Sequence, residues 1–145
     1  MLTRTTNYAI RAVAYMATLD PEEWADSIQV SRATGIPRRF LLKILRTLRA
    51  RGFLVSTRGI GGGYRLAKPA AKISLLQIAE VFEDISRLEA CPFGLARCRK
   101  AQPCPLHRRW ESVQSALMSL LRETHFGRLG KMDFTGRWKR KPVRR

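Results

Sequence analysis

All three cysteines of this 145-residue chain lie in one stretch, CPFGLARCRKAQPCPLH, at Cys91, Cys98 and Cys104. One of only two histidines, His107, follows the last of them. Three thiolates and an imidazole form a full ligand set for one tetrahedral Zn²⁺ or one iron–sulfur cluster. A zinc knuckle usually brings two cysteines onto one ion from a single tight turn, as C-x2-4-C. Here the spacings are C-x6-C, C-x5-C and then C-x2-H. These wider loops suit an object with separated iron atoms, which favours a cluster over zinc and over plain buried or redox thiols. Each cysteine also has polar, Gly- or Pro-containing neighbours rather than the apolar surroundings of an inert core thiol. Pro92, Pro103 and Pro105 forbid a continuous helix through the stretch. It reads as a constrained loop, ending where a helix can begin.

The rest of the chain must position that loop, and its composition bounds what it can be. The length allows one domain, or a small domain with an appended helix. There are 28 Lys and Arg against 11 Asp and Glu, a formal charge of +17. Such an excess calls for a polyanionic partner, and nucleic acid is the commonest. No run of eighteen apolar residues occurs, so no membrane span is expected. The opening MLTRTTNYAIRAVAYMATL reads as one face of a helix interrupted by Arg11 rather than as a secretion signal. The expected location is the cytoplasm, where clustered cysteines point to metal rather than to disulfides.

In chain order, Ala9, Ala12, Val13, Met16 and Ala17 repeat as the apolar face of a first helix, from about Thr5 to Thr18. Asp26 can cap a second helix that Gly35 stops after Thr34. Pro37 then suits the first turn of a third helix running to about Ala50. Leu41, Ile44, Leu45 and Leu48 form its buried stripe, and Arg39, Lys43 and Arg46, with Arg38 beside them, lie opposite. Helix, glycine turn and helix with a basic outer face is the helix-turn-helix arrangement. Phe53–Thr57 and Tyr64–Leu66 read as paired strands around the glycine-rich tip from Arg58 to Gly63. This is no P-loop, because no Gly-Lys-Ser/Thr follows and no helix opens there. A hairpin directly after a helix-turn-helix is a wing. Arg58 can enter a minor groove from its base, while the glycines let the backbone approach phosphates.

Ser74 and Gln77 form a capping box for a fourth helix with Leu75, Ile78, Ala79 and Phe82 inward. From Pro105 a long helix is expected to about Glu123. Leu106, Trp110, Val113, Leu117 and Leu120 follow spacings of 4, 3, 4 and 3, a heptad seam that favours dimerisation over packing on the same domain. Beyond that the chain becomes polar and basic and is expected to be disordered. The expected division is residues 1–72 as a DNA-binding head, 73–126 as metal loop and dimerisation helix, and 127–145 as tail. No carboxylate pair, Ser/His/Asp set or cofactor loop supports an enzyme.

The combination of TTNYAIRAVAYMA, IPRRFLLKILRTLRARGFLVSTRGIGGGYRLAKPA, ISLLQIAEV and CPLHRRW resembles the Rrf2 family of bacterial winged-helix transcription regulators, of the IscR, NsrR and RirA type, over roughly residues 1–130. The resemblance implies a mainly α fold with a small β-hairpin wing, and two winged-helix heads on a shared stalk of long helices. It implies a homodimer on a double-stranded operator, with an iron–sulfur cluster in each subunit on Cys91, Cys98, Cys104 and His107. The resemblance places the recognition-helix contacts in the stretch from Pro37 to Lys43 and a wing arginine at Arg58. Together with the basic face and the hairpin, the expected DNA-contacting set is Arg38, Arg39, Phe40, Lys43 and Arg46 on the third helix, and Arg58, Gly61, Gly62 and Tyr64 on the wing. The first cysteine spacing is one residue longer than in the IscR and NsrR types. Where some members carry an aspartate ligand near the N-terminus, this chain has Asn7, a poor ligand for ferric iron. That favours 2Fe–2S, with 4Fe–4S as the other form. A glutamine contact of some members aligns with Lys43, which would seek a guanine edge or a phosphate. The alternative is a winged-helix nucleic-acid-binding protein with structural zinc and no sensing.

Overall fold

In the computed structural model, which describes residues 2–93 and 104–129, the first helix begins where the sequence offers a hydroxyl. The Thr3 side chain caps α1 (Arg4–Met16) by accepting from the Thr6 N–H. Ala9, Ala12 and Val13 are fully buried along it, and these small side chains let α2 (Ser27–Thr34), α3 (Arg38–Ala50) and α4 (Leu75–Phe82) all pack against α1. The caps read from the sequence are in place. Asp26 accepts from the Gln29 N–H at 2.8 Å, and Gly35 closes α2 with φ +70°. Arg11 Nη1 donates to Thr34 O at 3.1 Å, placing a cation at the end of α2 where the helix dipole favours one. Asp26→Ala should cost about 1 kcal/mol, read as a lower urea midpoint with an unchanged slope.

α3 buries Leu41, Ile44, Leu45 and Leu48 and leads into an antiparallel hairpin, β1 (Leu54–Thr57) and β2 (Gly63–Leu66), with Val55 opposite Arg65 and Ser56 opposite Tyr64. The hairpin has a third partner that period-2 reading does not find. Ala25 N–H donates to Tyr64 O at 2.9 Å, and Tyr64 N–H donates to Ala25 O at 2.8 Å. The loop before α2 is thereby stitched to the wing. Gly63 makes this possible: its φ is +145°, and a Cβ there would stand 2.4 Å from Ala25 O.

α4 carries the expected capping box: Gln77 N–H donates to Ser74 Oγ at 3.2 Å, and Ser74 N–H to Gln77 Oε1 at 2.9 Å. Just beyond α4, burial pushes the Glu83 carboxyl up, but bonds from the Thr3 N–H and the Thr6 and Thr3 hydroxyls hold it below its ordinary value. A depressed carboxylate stabilises the native state at neutral pH, and that contribution is lost as pH falls through the lowered value.

The long helix α5 (His107–Glu123) starts two residues later than Pro105. Pro105 and Leu106 form a turn, closed by the His107 N–H donating to Cys104 O at 2.9 Å, and Leu106 supplies no capping side chain. The chain expected to become a tail at residue 127 continues as α6 (Phe126–Leu129). Phe126 is fully buried in the same core as Ile73, Ile78 and α1, and Phe126 N–H donates to Ile73 O at 2.9 Å. Segments 2–72 and 73–129 therefore share one core within the described residues. Residues 130–145, the rest of the expected tail, lie outside them.

Candidate DNA interface and metal-ligand loop

The outer face of α3 carries its basic side chains in two roles. Arg38 is partly committed to the scaffold, its Nε donating to Ser27 Oγ at 3.1 Å and tying the start of α3 to the start of α2. Arg39 lies over the Phe40 ring at 4.7 Å, and Phe40 is 40% exposed. Lys43 and Arg46 are exposed and make no ion pair among the described residues. Arg58 likewise stands exposed at the foot of the wing loop. In water such groups lose little by being unpaired, and against phosphate they gain by releasing counterions.

The wing glycines Gly61 and Gly62 lie at the tip. Tyr64 is half-buried between Ala25 and Ser56, so its backbone serves the scaffold. The sequence reading missed Arg65. It stacks over Trp24 at 4.4 Å and pairs with Glu22 at 3.1 Å, latching the wing to the loop before α2. The only signal was a tryptophan and carboxylates ahead of α2, which nothing in the sequence ties to a strand forty residues on. Arg4 shares with Tyr8, Phe40, Lys43 and Phe82 a groove of about 260 Å³ where α1, α3 and α4 meet.

The ligand loop is described at its two ends. Cys91 is 6% exposed, Cys104 is half-buried, and neither is in a disulfide. Cys98 lies outside the described residues. Among those described, no three Cys, His, Asp or Glu side chains gather as a metal site. Cys104 and His107 share one turn through their backbone bond, and His107 Nε2 lies 3.9 Å from Glu111 Oε2. The segment leading into Cys91 is held by the same helix: Trp110 Nε1 donates to Ala90 O at 3.1 Å, and Gln114 Nε2 to Leu88 O at 3.4 Å. Both ends of the loop are thus anchored on the first turns of α5. Soft thiolates entering and leaving one anchored loop, with an imidazole beside the last, fit the ligand chemistry of an iron–sulfur cluster.

The heptad seam of α5 divides in the single chain. Trp110 and Leu117 are half-buried, with Leu121 fully buried beyond them. Leu106, Val113 and Leu120, seven residues apart, are 45%, 57% and 57% exposed. An apolar stripe at heptad spacing is left facing solvent. No helix among the described residues is long and apolar enough to cross a membrane.

The sequence profile of the Rrf2 family, described as an iron-dependent transcriptional regulator, matches residues 2–131. An Aquifex aeolicus protein provisionally assigned as an HTH-type transcriptional regulator is 33% identical over 122 residues, covering 83% of this chain and 84% of that one. Protein aau3 of Rhizobium meliloti is 33% identical over 121 residues, covering 83% and 78%. Among solved structures, CymR, the global cysteine regulator of B. subtilis, superposes with a TM-score of 0.73 at 18% identity, over 90% of this chain and 95% of that one. T. potens IscR does so with a TM-score of 0.68 at 21% identity, over 87% and 82%. At these identities the structural likeness speaks for the fold.

Proposed function

This chain belongs to the Rrf2 family of DNA-binding transcriptional regulators, and from that premise we propose that it is a cytoplasmic homodimer whose grip on an operator is set by an iron–sulfur cluster. It is a regulator and not an enzyme. Two α3 helices would enter successive major grooves one helical turn apart, and two wings the flanking minor grooves. Arg39, Lys43 and Arg46 would neutralise phosphates or read base edges, with Phe40 beside them, and Arg58 would reach into a minor groove. The observation that carries the reading is this basic face, exposed and with no ion pair among the described residues, on a helix and wing that the Arg38–Ser27 bond and the Trp24–Arg65–Glu22 latch tie to the segment around the start of α2.

Cys91, Cys98, Cys104 and His107 would hold the cluster, favoured as 2Fe–2S, with a 4Fe–4S form on three cysteines and an exchangeable fourth position as the other possibility. The bound cluster would supply a group whose oxidation or loss reports iron, nitric oxide or redox state. The family's iron dependence supports iron over zinc. The chain offers a packed route for coupling, since α5 rests on α4, α4 on α1, and α1 on α3. Loss of the ligand loop's grip on α5 would shift that stack and with it the spacing of the two heads.

The test of the DNA reading is salt. Log affinity for an operator duplex should fall linearly with log salt, by about 0.9 per phosphate neutralised. Arg58→Ala should weaken binding by about 1–3 kcal/mol. Affinity indifferent to both salt and Arg58 would remove the wing from the interface.

A further inference from the structure

Ile60 stands at the apex of the wing with its side chain wholly in solvent, 110% exposed. Between Arg58 and Tyr64 it is the only residue with a side chain, because Gly59, Gly61, Gly62 and Gly63 make up the rest. The tip is a built turn. Gly62 N–H donates to Gly59 O at 3.1 Å, and Gly61 has φ +77°. That is the pattern of a type II β-turn, with Ile60 at the first corner and the obligatory positive φ at the second. A Cβ on Gly62 would meet Thr57 O at 2.7 Å, so the glycine there cannot be replaced cheaply. The wing therefore ends as a thin blade of bare backbone bearing one branched aliphatic tooth.

A single exposed isoleucine on a protein surface normally needs no explanation. This one differs in position. Turn corners favour proline or polar residues. Here the chain places a stiff, β-branched apolar side chain there, two residues from Arg58. Apolar side chains carried into the minor groove partly unstack a base step and kink the duplex by about 20–90°. Pyrimidine–purine steps yield to this most easily.

We propose that Ile60 is a minor-groove wedge that kinks the operator where each wing lands and confers a preference for pyrimidine–purine steps there. The proposal rests on the wing being a DNA contact, as argued above. It adds a specificity determinant that makes no hydrogen bond.

The test uses the full-length protein to enrich duplexes from a random-sequence pool, followed by affinity and end-to-end energy-transfer measurements on selected duplexes of about 30 base pairs. Ile60→Ser should bind about tenfold more weakly, from loss of the side chain's burial, with an unchanged salt dependence. The bend should be lost, and so should the enrichment of TA and CA steps at the wing positions. Ile60→Leu should restore all three. Ile60 touches nothing in the core, so neither variant should alter folding, and circular dichroism checks this. If the wild type selects and binds a duplex and Ile60→Ser binds and bends it equally, the wedge is wrong and the DNA reading stands. If the wild type enriches no duplex, both fall together.

Discussion

Val113→Glu with Leu120→Glu should convert the protein to monomers and weaken operator binding by about 10²–10⁴-fold, the gain that two linked heads have over one. Both residues are more than half exposed in the single chain, at 57% each, so glutamate at either costs the isolated fold little. Their spacing of seven puts them, with Leu106, on one stripe of α5. In a dimer built on that stripe each glutamate would become a buried carboxylate without a partner, which costs several kcal/mol or forces the interface apart. Light scattering reads the mass, and anisotropy on an operator duplex reads the affinity. Trp110→Ala makes a useful contrast: its indole donates to Ala90 O within its own chain, so it should disturb the ligand loop more than the assembly. An unchanged dimer in the double glutamate variant would remove α5 from the interface.

Cys91→Ser should abolish the cluster, leaving visible absorption, iron and acid-labile sulfide at background after anaerobic purification. Cys91 is the loop's entry residue and the more buried of the two described cysteines, at 6% exposure. Serine keeps its size, but its hydroxyl is a harder and far less acidic ligand than a thiol. His107→Ala should behave differently. It leaves three thiolates, so a cluster forms with an altered spectrum and a shorter lifetime. His107→Cys should hold one at lower potential, because a fourth thiolate adds negative charge. If His107→Ala carries a cluster with unaltered spectrum and lifetime, His107 is a residue of α5 and not a ligand, and the form with an exchangeable fourth site takes its place.

What could be read in the sequence was local. Asp26, Gly35, Ser74 and Gln77 act on backbone groups within three or four residues of themselves, so a cap is visible wherever its residues are. The stripe of Leu41, Ile44, Leu45 and Leu48 was legible because helical periodicity alone sorts a strongly amphipathic helix. What escaped was non-local. The Ala25–Tyr64 pairing joins segments some forty residues apart, and neither residue signals the other. Phe126, at the end of the segment expected to stop before the tail, gave no sign of its burial because one aromatic among polar residues has no periodicity, yet it sits in the core with Ile73 and α1. The seam of α5 showed which residues were apolar but not which way each faced. Trp110 and Leu117 lean on their own chain, and Leu106, Val113 and Leu120 do not. Of the candidate ligand set, the residue types were legible and the role of α5 in holding the segment before Cys91 was not, since it depends on Trp110 and Gln114 reaching back to Ala90 and Leu88.

The decisive measurement is operator affinity of the anaerobically purified protein before and after removal of its cluster, at one fixed salt concentration, with iron and sulfide counted on the same samples. Cluster sensing predicts a coloured protein and an affinity that changes by about 5–150-fold between the two forms, the usual size of coupling between two sites on one protein. Equal affinity with and without the cluster, or a colourless protein holding one zinc per chain, would contradict it.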